Sequence, residues 1–238
     1  MYGWPVSPTS GVIGEALALY RAHWQHLIGL AAVVYVAVAV LSLVAGLAFG
    51  ALGAVLAGLM SFVATFWTEA ALVEAVQDIR DGRADLGIGE TFQRVRPRLG
   101  AVIGVSILAG LAIALGFVLL VVPGLVLLTL WSLIVPVIVL EGTPAMEAFG
   151  RSRELVRGHG MGVFGVIVLA FLLLLLVTIV VAIILAPVGN NGLRQALSNL
   201  VGGVLTAPVY ALVATVLYFR LHAALGDGTA RAVSTDPT

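Results

Sequence analysis

Two carboxylates stand in or beside an apolar run, in the stretch Thr68-Glu-Ala-Ala-Leu-Val-Glu74. An ionised group at the centre of a bilayer costs about 2.5–3.5 kcal/mol on insertion scales, and such residues commonly mark a proton or cation pathway. The competing account of Glu69 and Glu74 is an interface residue that snorkels or pairs with arginine. At about 1.5 Å per residue from Gly53, Glu69 falls about 24 Å along a helix, short of a roughly 30 Å hydrocarbon core, and Glu74 reaches its edge. Glu141 ends another apolar run and is placed to pair with Arg151 or Arg153, fixing the segment that follows. Arg151, Arg153 and Arg157 equally suit lipid phosphates, each basic group being worth about 1 kcal/mol near an anionic leaflet.

Other chemistry finds little support. His23 and His26 stand three residues apart and could share a metal-facing side, but no further ligands follow at matching spacing, so no metal or cofactor is expected. No nucleophile elbow, zinc-protease helix motif or phosphate-binding loop occurs. A lipid-processing centre would have to draw Glu69, Glu74, Arg80 and Glu141 together near one interface. There is no cysteine, which excludes disulfides and thiolate catalysis.

The elements that must position these residues are apolar. Of 238 residues, 61% are hydrophobic and 10% charged, against about 45–50% and 25% in soluble domains. Charge this sparse cannot cover a water-facing surface, so lipid is the expected surroundings and membrane lipids the expected partners. The formal net charge is zero, giving no attraction for nucleic acid. All twelve basic residues are arginine.

Six apolar stretches are long enough to span: 27–49, 51–70, 100–121, 125–140, 161–186 and 200–219. The first is too long for a signal peptide and has no basic segment before it. Gly50 and Gly53 suit the first reversal, Val121-Val-Pro-Gly124 the second, and Pro187 to Gly192 the third. Residues 1–9 and 226–238 are expected to be disordered ends of one domain covering 10–225. The arginines cluster in alternate connections: Arg80, Arg83, Arg94, Arg96 and Arg98, then Arg151, Arg153 and Arg157. The positive-inside rule therefore expects both termini and both charged linkers in the cytoplasm.

Each pair of spans follows an amphipathic segment. Thr143, Pro144 and Gly158 delimit one, with Ala145, Ala148, Phe149, Leu155 and Val156 on one side. Glu90 opens a second. A third places Ile13, Leu17, Tyr20 and Trp24 together. All three are expected to lie at the cytoplasmic interface with apolar faces among acyl tails. Glu90/Arg94 and Glu147/Arg151 are expected to pair along their helices. The fold class is thus all-α and polytopic, with six transmembrane helices and about three interfacial helices, arranged as three tandem hairpin units or as unrelated hairpins. "PVIVL" at Pro136 and "PVYAL" at Pro208 favour repetition; the unequal spacing of Glu15, Glu90 and Glu147 opposes it. Gly46-x-x-x-Gly50 and Gly100-x-x-x-Gly104 offer weak candidates for close helix contact.

The segments "PVIVLEG" (Pro136–Gly142), "EAFGRSRELVRG" (Glu147–Gly158) and "APVYALVATVLYFRL" (Ala207–Leu221), with "IGEALALYRAHW" and "VPGLVLLTLW", resemble a family of bacterial six-helix membrane proteins. That family includes the membrane domain attached to some glycerophosphodiester phosphodiesterases, together with uncharacterised stand-alone members. Its pattern falls here on Glu141, Gly142, Ala148, Arg151, Ser152, Leu155 and Gly158. The resemblance implies a six-helix membrane domain. It implies no hydrolase, because the phosphodiesterase domain with its metal-binding carboxylates and histidine has no counterpart in these residues.

The leading expectation is a non-enzymatic membrane module acting as scaffold, partner subunit or lipid-interacting domain, with a membrane-protein partner or a second copy open. The alternatives are a small-solute transporter or channel, for which a polar cavity is the discriminating feature, and an intramembrane lipid-processing enzyme.

Overall fold

A computed structural model describes residues 7–81 and 87–234, with the side chains of 54, 191 and 227–234 outside the description. Arg83 and the first six residues, part of the expected disordered start, fall outside it as well. Among the described residues all regular structure is helical. Six helices are long and apolar enough to cross a membrane: span 1 (Val12–Gly53), span 2 (Val55–Arg80), span 3 (Ile88–Leu119), span 4 (Val121–Glu141), span 5 (Gly160–Leu185) and span 6 (Gly192–Gly226). The chain folds as an all-α, multi-pass membrane protein.

Three tight reversals define one end of the bundle, here the charge-poor end. Spans 1 and 2 form one helical stretch broken at Gly50, whose φ of 53° and ψ of −124° suit glycine alone. Span 3 passes to span 4 through a single extended residue, Leu120 (φ −163°, ψ 146°). Pro123 lies inside the first turn of span 4, where its missing N–H leaves nothing unsatisfied, so the reversal precedes the expected Val121–Gly124 break. A Cβ on Gly116 would stand 3.1 Å from the Gly124 Cα, which is how these helices approach so closely. At the third reversal the Asn190 side chain accepts the Leu193 N–H at 3.0 Å and caps span 6. The helix containing span 6 continues to Ser234, past the point where structure was expected to end; Ala230 and Ala232 are good helix formers extending an already nucleated helix.

The core sits in the opposite, charged half. Leu27, Leu30, Leu72, Leu133, Ile138, Leu212 and Leu217 are all buried there. Lipid tails are as apolar as leucine, so these contacts stabilise through close packing more than through exclusion of water. Towards the charge-poor end the spans separate, and Val36, Val40, Leu47, Leu59 and Phe62 stay exposed for lipid.

The three amphipathic segments depart from expectation, for they pack against protein. Residues 12–22 continue into span 1 through a kink at His23 (φ −125°, ψ 24°). They bury Val12 and Ala16, while Trp24 on the expected apolar face is 50% exposed. The helix Ile88–Val95 buries Thr91 and Val95, and Phe92 meets Trp67 edge to face at 5.7 Å. The linker helix Ala145–Val156 buries Ala148, Ser152, Leu155 and Val156 in the bundle, and Phe149 meets Trp131 edge to face at 4.9 Å. Its face is complementary to a gap the bundle offers, which periodicity cannot distinguish from affinity for acyl tails.

That gap arises because span 4 is not one straight helix. Its α-helical part ends at Leu130, a turn follows, and a π-helical segment covers Val137–Glu141. The break leaves backbone groups unpaired inside the bundle. The Ser152 hydroxyl, fully buried, donates to the Leu130 carbonyl at 2.7 Å and accepts the Leu133 N–H at 3.3 Å. Arg98 donates to the Val139 carbonyl in the same segment. Ser152→Ala should therefore destabilise the protein by about 2–3 kcal/mol, the cost of orphaning buried backbone groups. Thermal unfolding in detergent reads this out, and a loss no larger than that of Ser10→Ala would refute the assignment.

The two Pro-Val segments differ: Pro136 precedes the π-helical turn, whereas Pro208 lies within a continuing helix. Any repetition of hairpin units does not extend to these details.

Candidate functional site

Where the spans separate they enclose a cavity of about 700 Å³ between spans 1, 2, 5 and 6. Its lining includes Tyr35 and Ser42 from span 1, Ser61, Thr65 and Thr68 from span 2, Thr178 from span 5, and Ser198, Asn199 and Thr206 from span 6. It continues into a smaller hollow towards the charge-poor end, where Arg194 and Gln195 join Thr178, Ser198 and Asn199.

The orientation of the hydroxyls decides the cavity's chemistry. Ser61 donates to the Ala57 carbonyl at 2.7 Å, Thr65 to Ser61 at 2.8 Å, and Thr68 to Ala64 at 2.7 Å. Thr178 donates to Leu174 at 2.9 Å and Thr206 to Gly202 at 2.8 Å. Each spends its one proton on its own helix, one turn back, so what it turns towards the cavity is oxygen lone pairs. Ser42, Ser198, Tyr35 and the Asn199 amide add groups able to donate, so the lining as a whole can both accept and donate hydrogen bonds.

Glu69 lies on span 2 one turn beyond Thr65, partly buried and outside the residues that line the cavity. Tyr210 lies one turn beyond Thr206 on span 6, and Tyr35 lines the cavity from span 1. Among the described residues Glu69 has neither a hydrogen-bond nor an ion-pair partner. Tyr210 is 44% exposed, facing a second hollow of about 350 Å³ bounded by Ile113, Trp131, Ser132, Val166 and Phe171. Gly203 makes room for Tyr35: a Cβ there would fall 2.2 Å from its Cε1.

The remaining charged candidates separate into three clusters at the charged end. Glu74, with a side chain 13% exposed, meets Arg94 at 3.7 Å, and Arg94 also takes the expected Glu90 at 3.2 Å. Arg80 and Arg220 both meet Glu15, at 3.0 Å and 2.6 Å, and Arg80 lies over the Phe219 ring at 4.5 Å. Arg220 donates also to the Ser10 carbonyl. In the third cluster Arg151 Nε donates to both Glu141 oxygens, at 2.9 and 3.1 Å, and Nη1 to Glu154 at 2.8 Å. Tyr218 donates its hydroxyl to Glu141 at 2.9 Å. These hydrogen bonds to Glu141 hold the Arg151 guanidinium above its ordinary pKa, so it stays charged.

Glu141 therefore pairs with Arg151, as one of the two expected choices had it. The expected Glu147–Arg151 pair is replaced by Glu141 and Glu154. Arg153 and Arg157 are exposed and unpaired among the described residues, and remain open to lipid phosphate. Glu69, Glu74, Arg80 and Glu141 do not converge, as a lipid-processing centre would need. The hydroxyl stripe is legible in the sequence, where Ser61, Thr65 and Thr68 stand four and three apart within an apolar run, although spacing alone does not show that they face a cavity.

Comparison with models of known protein families, with curated proteins and with solved structures finds no match for this chain.

Proposed function

We propose that this multi-pass membrane protein is a solute-binding protein of the transporter type, non-enzymatic, with the cavity open to the outside and the charged end in the cytoplasm. The observation that carries this is the polar-lined cavity, set against a charged half packed around Leu72, Leu133, Ile138 and Leu212. Polar side chains contributed by four spans are expensive in lipid unless they line a cavity. A cavity sealed beneath by a dry layer is one state of an alternating-access cycle. The hydroxyls are poor candidates for nucleophiles, because each already donates its proton to a backbone carbonyl and no base withdraws it.

A scaffold or partner role is the second reading. It is favoured by an apolar groove between spans 1 and 2, lined by Val33, Ala37, Leu41, Leu59, Met60 and Trp67, which lipid or another membrane helix would cover. The interfacial helices support that reading less than expected, since their apolar faces are used inside the bundle. Membership of the six-helix family belongs to the same proposal. The residues carrying the resemblance meet at one joint: Glu141 with Arg151, Ser152 at the span 4 break, and Gly142 and Gly158 at φ of 69° and 85°. They position elements and perform no chemistry.

The absence of cysteine makes the cavity directly testable. Single Thr65→Cys, Asn199→Cys and Thr206→Cys variants in intact cells should react with a membrane-impermeant thiol reagent added outside. Leu72→Cys and Leu212→Cys, fully buried, should not. Equal labelling of both sets, or labelling of the first set only after cell lysis, would refute an outward-open cavity.

A further inference from the structure

We propose that the cavity between spans 1, 2, 5 and 6 binds a neutral polyhydroxylated solute, a sugar or a sugar alcohol. This rests on the proposed cavity function and names its ligand class.

Three observations carry it. First, among the described residues the polar side chains of the lining are all uncharged. Charged side chains stand outside it: Arg194 borders the adjoining hollow and has an interaction of its own, and Glu69 lies one turn beyond Thr65. An ion that sheds water in the cavity therefore gains no opposite charge from the walls. A neutral solute only exchanges one set of hydrogen bonds for another.

Second, the walls hold acceptors and donors in fixed places. Ser61, Thr65, Thr68, Thr178 and Thr206 commit their protons to backbone carbonyls one turn back and leave lone pairs for the cavity. Ser42, Ser198 and the Tyr35 hydroxyl make no such bond among the described residues and keep a proton to give. Asn199 takes the Gln195 amide on its carbonyl oxygen at 2.9 Å, which leaves its own amide N–H groups for the cavity. A hydroxyl donates one hydrogen bond and accepts others, so a row of hydroxyls on one ligand uses both kinds of wall group at once.

Third, the space has the size and the walls for such a ligand. A cavity of about 700 Å³ is in the range of small-molecule sites and far exceeds what one inorganic ion needs. From Ser61 to Thr68 the hydroxyl row runs about 10 Å along the axis of span 2, long enough to meet several hydroxyls of one molecule. Tyr35 adds an aromatic wall, and Gly203 on span 6 leaves the room in which its ring is seated. The C–H face of a sugar ring packs on that apolar surface while its hydroxyls meet the polar side chains.

The test uses the purified full chain in a detergent without a sugar headgroup, and equilibrium dialysis against radiolabelled glucose, mannitol and sucrose. Gluconate and glucosamine, hydroxylated ions of similar size, are the charged comparison. At least one neutral probe should bind saturably, and both ions should bind about tenfold or more weakly than the best of them. Thr65→Val, nearly isosteric, and Asn199→Leu should each weaken that binding about fivefold or more, the effect of a lost hydrogen bond. Thr129→Val makes the same change at a span 4 hydroxyl outside the cavity and should leave binding within about twofold. Unfolding curves without ligand separate loss of binding from loss of fold. Equal or tighter binding of either ion, or binding unmoved by both cavity variants, would overturn the assignment. If no neutral probe binds while Thr65→Cys and Thr206→Cys still label from outside, the ligand class is wrong and the cavity function stands. If those variants fail to label as well, both fall.

Discussion

Arg151→Glu is expected to loosen the charged half of the protein, lowering stability by about 3 kcal/mol, the lower end of the range for breaking a buried pair. Arg151 links span 4 to the linker helix through Glu141 and holds Glu154 as well. Its side chain is 24% exposed and that of Glu141 20%, so solvent screens the pair only in part. Reversal would place three carboxylates together and leave Glu141 with the Tyr218 hydroxyl as its main remaining donor. The linker helix should then detach, taking Ser152 out of the span 4 break. Unfolding in detergent and protease cleavage between Val156 and Gly160 in inside-out vesicles measure both effects. Arg153→Glu is the control: Arg153 is exposed and unpaired among the described residues, so its reversal should cost under about 0.5 kcal/mol. Equal effects for the two variants would mean that the linker helix is held by lipid contact and not by the ion pair. Because this joint helps seal the charged half, the destabilised variant should also let reagents reach Leu133→Cys from the charged end.

Gly53→Ala is expected to prevent the first hairpin from closing. A Cβ there would stand 1.9 Å from the Ala45 carbonyl oxygen and 2.4 Å from its carbon, both backbone atoms that cannot swing aside. Relief would require spans 1 and 2 to part, at a cost above the roughly 1–3 kcal/mol usual for overpacking. Both spans line the cavity, so accessibility at Ser42→Cys and Thr65→Cys should change along with stability. Gly46→Ala provides the contrast, since a Cβ at Gly46 meets nothing within 4 Å. It should be neutral or stabilising by up to about 1 kcal/mol, as for glycine to alanine within a helix. A Gly53→Ala protein as stable as Gly46→Ala would refute the close approach.

These glycines show why the pattern of residues alone misplaced the close contacts. Gly46, Gly100 and Gly104 matched a helix-packing spacing, yet each faces open space. Gly53, Gly116, Gly124, Gly162 and Gly203 are among those whose missing Cβ lets chains approach. Spacing states which residues share a helix face, but the neighbour across that face is set by how six helices pack together.

Apolar content and the alternation of arginine-rich linkers with apolar runs were enough by themselves to determine an all-helical chain of six spans. An unbroken helical span satisfies its backbone internally and needs only about 20 apolar residues, both local properties. Glu69 and Glu141 also stood out by sequence, because charge in an apolar run is locally conspicuous. Only the tertiary structure decided what those charges meet: Glu141 finds Arg151 and Tyr218, while Glu69 finds no counter-ion among the described residues. It also decided that the amphipathic helices turn inwards, that span 4 breaks and is mended by Ser152, and that hydroxyls from separate spans enclose one cavity. These outcomes depend on contacts between residues distant in the chain, and a helix's own periodicity is the same whether its face meets lipid, protein or an enclosed solute.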